Sequence, residues 1–320
     1  MMNHQTTPHG AFLMVLLANA GFAFKGIFAK LALASGITLG GMLMLRIALA
    51  MPLYWIAART LTRAAAPLSG RDWRDGLLIG LLFTLATVAD FIAIDRLGAG
   101  PSRMLLFTYP LMVQLLVAWR ARRWPTRREL AVFVVCYGGL ALLFAPRGLA
   151  GDLGPAGWIG IACGLVSAAS YACFLVWVQD TARRIGSARC TALTNTSTFL
   201  VFCGYALLGA APADFAIPVE GFGWVALMVV IATVLPFLLL FEGIRHTGAA
   251  RASLIALSGP VITLVAAWAI LDERLLPLQG LGLVLIIGAI GYLQLGGDAL
   301  ARLVRRLRPS ARPDSGRAIR

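Results

Sequence analysis

Apolar stretches of about 20 residues recur along nearly the whole of this chain, and each is as long as a bilayer-spanning helix must be. Composition supports that reading. A soluble chain runs near half apolar and a quarter charged; here 59% of residues are apolar and only 13% are charged, with a mean hydropathy of +0.83. The sequence predicts an all-α integral membrane protein. Ten spans can be placed, at roughly 11–34, 36–58, 75–96, 98–119, 129–146, 156–178, 190–211, 221–244, 248–271 and 278–297. Residues 1–9 lack a basic n-region, and the apolar stretch after them lacks an A-x-A-like cleavage site, so no signal peptide is expected.

The chain also repeats itself with its charge inverted. Gly98-Ala99 and Pro110 recur 150 residues later as Gly248-Ala249 and Pro260. In each copy an apolar helix, a charged turn containing a proline and a Gly-rich helix follow. The first turn carries Arg120, Arg122, Arg123, Arg127 and Arg128; the second carries Asp272, Glu273 and Arg274. Short basic loops mark the cytoplasmic side of a membrane. The equivalent turns are therefore expected on opposite faces, as inverted-topology repeats require. Five spans precede the segment 147–155 and five follow it. An odd count reverses the orientation of the second half.

The arginines orient the whole chain. Arg59, Arg63, Arg71 and Arg74 share a predicted face with the first charged turn, with Arg183, Arg184 and Arg189, with Arg245 and Arg251, and with the basic tail 298–320. The opposite face has Lys30, Arg96, Arg103, Arg147 and Arg274 beside Asp152, Asp214, Glu220, Asp272 and Glu273. Both termini are expected on the cytoplasmic side. The net charge of +14 follows from this asymmetry and does not point to nucleic acid, whose binders gather base on a folded soluble face. The expected organisation is a cytoplasmic N-terminus (1–9), a five-helix repeat (10–146), a linker (147–155), a second repeat (156–297) and a cytoplasmic tail (298–320).

Several segments resemble the EamA-type branch of the drug/metabolite transporter superfamily. They are Phe28-Ala29-Lys30-Leu31-Ala32, Leu45-Arg46-Ile47-Ala48-Leu49-Ala50, the paired Gly-Ala…Pro segments, and Pro260…Leu271-Asp272-Glu273-Arg274-Leu275…Gly280…Gly288. The resemblance covers nearly all of residues 10–297. Arg122-Arg123-Trp124 departs from it, standing where an acidic residue is usual. The resemblance implies a ten-helix secondary transporter of small organic solutes in the inner or plasma membrane.

A charge within hydrocarbon is costly and points to function or pairing. Lys25, Arg46 and Asp90 fall in the outer half of their helices or near the midplane, counting ~1.5 Å of rise per residue. They are candidates to line a central cavity. Lys25 or Arg46 would attract a carboxylate or phosphate; Asp90 would pair with them or take an amine or a proton. The structural alternatives are helix packing for Arg46 and snorkelling for Lys25. Glu242 is a second proton-coupling candidate, against the plainer reading of a helix pair with Arg245 or His246. Phe22, Tyr109, Ser170, Tyr171, Asn195 and Ser258 are candidate cavity-wall residues, with Asn19, Gln114 and Trp177 beside them; helix–helix hydrogen bonding competes as an explanation. Pro110, Pro236 and Pro260 are expected kinks and candidate gating hinges. Asp95, Arg96 and Arg103 read as interfacial salt-bridge partners. Gly36-Ile37 reads as turn chemistry between the first two spans; Gly36xxxGly40, Gly76xxxGly80 and Gly160xxxGly164 also read as close packing within the chain, and no dimer is inferred from them.

The leading expectation is a secondary transporter working by alternating access on a small organic metabolite; the family resemblance alone implies export or proton-linked exchange. An intramembrane enzyme would need a converging catalytic set, and the sequence has no HExxH. A primary pump would need a P-loop, which is missing. The five cysteines show no CxxC spacing and read as packing residues. No metal or cofactor is implied. A non-transporting scaffold and a channel are the alternatives; the scaffold would not require Lys25, Arg46 and Asp90.

Overall fold

The structure, a computed structural model, describes residues 8–62, 66–97, 102, 105–122, 124, 126–144, 155–262, 265, 276–289 and 292. Every regular element among them is helical. The helices are α1 (Pro8–Ala34), α2 (Leu39–Leu61), α3 (Gly70–Leu97), α4 (Tyr109–Arg120), α5 (Arg127–Phe144), α6 (Pro155–Ile185) and α7 (Ser187–Leu208). They continue with α8 (Val219–Thr247), α9 (Ala249–Ile262) and α10 (Pro277–Ala289). Among the described residues, six helices are long and apolar enough to cross a membrane: α1, α2, α3, α6, α7 and α8. The acidic turn at 271–275, Gly98-Ala99, Arg63, Arg103, Arg123, residues 147–154 and the tail 298–320 lie outside the described residues.

α3 shows why these helices belong in lipid. Leu78, Leu81, Leu85, Val88 and Ile92 recur at helical spacing and are exposed. The buried side carries Gly76, Gly80, Thr84, Ala86, Ala89 and Ala93. Large apolar side chains face outward and small ones face the neighbours, the arrangement of membrane helices, where close backbone approach and interhelical hydrogen bonds replace hydrophobic burial. A Cβ on Gly76 would meet Leu193 Cβ at 2.5 Å, and one on Gly80 would meet the Thr194 carbonyl at 2.2 Å. These glycines let α3 lie against α7. Thr84 and Thr198 hydroxyls are 3.3 Å apart across the same seam. On its other flank α3 meets α6, where Ser167 donates to the Ala86 carbonyl over 2.7 Å.

α3 packs mainly on α6 and α7, α1 on α8, and α2 on α7 and α8; α4 touches α6 and α9, and α9 also touches α1. Two ends of the bundle follow from the contacts. At one end Arg184 bridges Asp72 (2.9 Å) and Asp75 (2.7 Å), and Arg120 pairs with Asp180 at 2.6 Å. At the other end the turn Pro212–Phe215 sits on the start of α2, and a Cβ on Gly160 would meet Arg96 Cβ at 2.8 Å. Arg96 and Asp95 also pair at 3.3 Å, both exposed.

The Gly36xxxGly40 reading is corrected. Gly36 has φ +90° and nothing within 4 Å of its Cβ position. It turns the chain between α1 and α2, as expected of Gly36-Ile37, but packs on no helix. Gly40 does pack, but on the Asp214 carboxylate, 2.7 Å from its Cβ position.

Candidate functional site

Aromatic side chains from five helices form a continuous band through the bundle. Phe22 of α1 meets Phe237 of α8 edge-on, with centroids 5.1 Å apart. Phe237 meets Phe83 of α3 edge-on at 5.4 Å. Phe83 lies 5.2 Å from Phe174 of α6, which stacks on Tyr171 at 5.3 Å. Tyr171 meets Tyr109 of α4 edge-on at 4.8 Å. Phe241 extends the band from Phe174 at 5.8 Å. Edge-to-face and offset contacts are the favoured arrangements of aromatic quadrupoles.

Polar groups rim this band. Asn19 of α1 donates to the Ile255 carbonyl (3.4 Å) and to Ser258 Oγ (3.5 Å), both on α9. Gln114 of α4 donates to the Ala250 carbonyl over 3.1 Å. Ser170 is buried beside Tyr171. Asn195 is buried and donates within its own helix to the Thr191 carbonyl. Trp177 is exposed on α6. Phe22, Tyr109 and Tyr171 therefore join one band, and Asn19 and Ser258 join each other.

The three prolines do not act as simple mid-helix kinks. Phe107 and Thr108 form a turn, and Pro110 stands in the first turn of the α4 helix that follows. Leu257 interrupts α9 three residues before Pro260. Proline lacks a backbone N–H and clashes with the carbonyl four residues back, so it is tolerated in a first turn and breaks what precedes it. Pro236 follows a π-helical turn at Val230–Val234. There Thr233 Oγ1 bonds the Met228 carbonyl over 3.1 Å, and the Thr233 carbonyl accepts from Tyr54 Oη at 3.4 Å. π-turns inside α-helices recur at functional sites.

The charged candidates separate. Arg46 lies on α2, about 10 Å from its start at ~1.5 Å per residue. Its Nε is buried and makes no hydrogen bond; neither Lys25 nor Asp90 pairs with it among the described residues. Lys25 is an exposed residue of α1, and Asp90 is half-buried on α3. Glu242 is held from three sides. Arg245 Nη1 is 3.3 Å and His246 Nε2 2.8 Å from its Oε1, and Ser187 of α7 donates to Oε2. Among the described residues no group of three or more His, Cys, Asp or Glu is placed to hold a metal.

Phe83, Phe174, Phe237 and Phe241 are band residues that sequence reasoning did not single out. On helices apolar all round, periodicity marks no inner face. The one available signal was Phe237 standing directly after Pro236. Chemically, the band offers flat apolar surface with hydroxyl and amide groups on the same helices, the composition of small-molecule sites.

A bundle of long apolar helices that turn their large side chains outward is a multi-pass membrane protein. Comparison with known proteins gives the family. The EamA-like transporter family model matches residues 158–293. The uncharacterized transporter YcbK of Bacillus subtilis is 32% identical over 287 residues, covering 87% of this chain and 89% of that one. The uncharacterized transporter sll1319 of Synechocystis is 27% identical over 221 residues, covering 67% of this chain and 64% of that one. A crystal structure 16% identical shares the fold, with a TM-score of 0.72 over 88% of this chain and 96% of that one. This chain belongs to the EamA-like transporters of the drug/metabolite transporter superfamily.

Proposed function

We propose that the protein is a ten-helix secondary transporter, built from two inverted five-helix repeats, that carries a small organic solute bearing a carboxylate or phosphate. The observation that carries this reading is Arg46, a guanidinium within a membrane helix whose buried Nε makes no hydrogen bond among the described residues. Such a group costs several kcal/mol in hydrocarbon unless an anion meets it. A substrate anion would supply that partner, and the aromatic band would hold the apolar remainder of the molecule. An amino acid-like, organic acid or anionic drug-like solute fits this chemistry.

The inverted repeat has three independent supports. Gly36 and Gly186 stand 150 residues apart, both at helix junctions, with φ +90° and +91°. The breaks at Phe107-Thr108 and Leu257 precede Pro110 and Pro260, again 150 residues apart. The main helix contacts also exchange in pairs when α1–α5 are swapped for α6–α10: α3–α6 with α8–α1, α4–α6 with α9–α1, and α3–α7 with α8–α2, while α2–α7 and α4–α9 map onto themselves. A pseudo-two-fold axis in the membrane plane gives this pattern. The boundaries proposed are 10–146 and 156–297, with both termini on the cytoplasmic, arginine-rich face of the inner or plasma membrane. Alternating access would rock one repeat against the other about the helix breaks at Pro110, Pro236 and Pro260. Export or proton-linked exchange is the proposed mode, with Asp90 the proton-coupling residue.

Proteoliposome counterflow tests the reading, using labelled amino acids, organic acids, nucleosides and cationic drugs with and without a pH gradient. The expected result is accumulation of an anionic or zwitterionic solute, lost in Arg46→Ala. Accumulation confined to cationic drugs, or unchanged transport in Arg46→Ala, overturns it.

A further inference from the structure

Each of the three helix breaks beside a proline offers a backbone carbonyl to a side chain from another helix. Tyr137 of α5 donates to the Phe107 carbonyl, in the turn before Pro110. Tyr54 of α2 donates over 3.4 Å to the Thr233 carbonyl, in the π-turn before Pro236. Asn19 of α1 donates over 3.4 Å to the Ile255 carbonyl, beside the interruption before Pro260, and over 3.5 Å to Ser258 Oγ. Proline removes one N–H from the helical ladder and opens the turn before it. Carbonyls in such a turn take partners from outside their own helix.

The three contacts differ in what they join. Tyr137 and Phe107 both belong to the first half of the chain. Tyr54 and Asn19 also belong to the first half, but the breaks they hold are in the second. Their bonds lie at the long end of the hydrogen-bond range, where the interaction weakens, so each is easily broken.

One short segment of α1 touches both second-half breaks. Asn19 meets the α9 break. Two residues on, a Cβ on Gly21 would meet Pro236 Cγ at 2.4 Å and the Ile231 carbonyl at 2.8 Å. That glycine lets α1 lie directly on the α8 break, and Phe22 then meets Phe237. Tyr54 reaches the same break from α2. A movement of α1 and α2 against the second half therefore acts on both breaks together.

We propose that Asn19 and Tyr54 are positioning residues of the transport cycle, forming a clasp through which the first half holds the α8 and α9 breaks and which opens when the halves move. This rests on the proposed movement of two repeats against each other. Tyr137 holds α4 within one repeat and lies outside the clasp.

Hydrogen–deuterium exchange of the purified full-length protein tests this, resolved to peptides over 228–241 (the α8 break), 250–262 (the α9 break), 105–114 (the α4 break) and 76–88 (the α3–α7 seam). Tyr54→Phe and Asn19→Leu each remove a donor and nearly keep the side chain's size. Either one is expected to speed exchange about fivefold, the effect of one hydrogen bond, at the α8 and α9 breaks alike. The seam should keep its wild-type exchange. Tyr137→Phe should speed exchange at the α4 break alone. Faster exchange only at the break that the altered residue touches makes Tyr54 and Asn19 separate packing contacts and overturns the proposal. Unchanged exchange in both variants overturns it too, as does an equal rise in the seam, which marks general loosening. No substrate enters the measurement. Absent counterflow in the wild type removes the transport reading, whereas exchange confined to one break removes the clasp even where counterflow is robust.

Discussion

The Thr38 hydroxyl donates to Asp214 Oδ1 over 2.6 Å and joins residues 176 positions apart. Thr38 also caps α2, accepting from the Gly41 amide at 3.0 Å. The other carboxylate oxygen accepts from the Ala211 amide at 3.1 Å and from Tyr205 Oη at 3.3 Å. One buried carboxylate thus ties the start of α2 to the turn between α7 and α8. Its negative charge also lies at the positive end of the α2 dipole.

These bonds, the one from Thr38 foremost, hold the Asp214 carboxyl below the usual carboxylate range. A depressed folded pKa adds stability above the unfolded value, and that stability is lost as pH falls through the folded value. Asp214→Asn is therefore expected to lower the melting temperature by a constant amount at neutral pH. The gap should shrink only below about pH 4, the unperturbed aspartate pKa. Melting curves of wild type and variant between pH 3 and pH 8 check this. A gap that survives at the acid end would show that the carboxylate charge is not what holds the turn.

The α3–α7 seam sets a second expectation. Alanine at Gly80 would place a Cβ 2.2 Å from the Thr194 carbonyl and 2.5 Å from Ser197 Cβ. Overpacking against backbone costs about 1–3 kcal/mol. Gly204, also on α7, has nothing within 4 Å of its Cβ position. There alanine should gain about 0.5–1 kcal/mol from helix propensity alone. Opposite signs are expected for Gly80→Ala and Gly204→Ala in thermal denaturation of the detergent-solubilised protein. Equal shifts would mean that the seam yields freely.

Gly186 should resist replacement for a different reason. Its Cβ position has only Thr62 Cγ2 at 3.6 Å, an ordinary contact. Its backbone, with φ 91° and ψ 149°, lies in a region nearly confined to glycine, where another residue costs about 1–3 kcal/mol. Asparagine tolerates the left-handed helical well, at ψ of roughly +30 to +60°, and that is not this conformation. Gly186→Asn should be as destabilised as Gly186→Ala, and a melting-temperature comparison of the two distinguishes backbone strain from crowding.

The sequence was legible where its signals are local. Span length and the prolines each act on neighbouring residues, and the helices and breaks fall close to where those residues put them. Contacts between halves were not legible. Asp214 read only as an acid on the outer face, because nothing nearby in sequence names Thr38. Gly36 read both as a turn residue and as a packing glycine, because a small residue four positions from another looks the same whether its φ is negative or positive; only the turn is found. Phe83, Phe174, Phe237 and Phe241 were hidden by helices whose lipid-facing and inner-facing residues are equally apolar. Lys25, Arg46 and Asp90 stood out by charge, but helical depth alone does not say which neighbour each helix meets.

Glu242 supplies the last expectation, because sequence gave it two roles and its contacts favour one. Its carboxylate gathers His246 and Arg245 from its own helix and Ser187 from the start of α7. A hydrogen bond to a charged group contributes about 1.5–3 kcal/mol, so Glu242→Ala should destabilise the α7–α8 junction by about that amount. A double-mutant cycle of Glu242→Ala with Ser187→Ala should show the two residues coupled. A structural anchor need not exchange a proton during turnover. Glu242→Gln, which keeps an acceptor for Ser187, should then leave the pH profile of counterflow unchanged, whereas Asp90→Asn should flatten it. A flattened profile in Glu242→Gln at wild-type stability would move the proton-coupling role to Glu242 and remove it from Asp90.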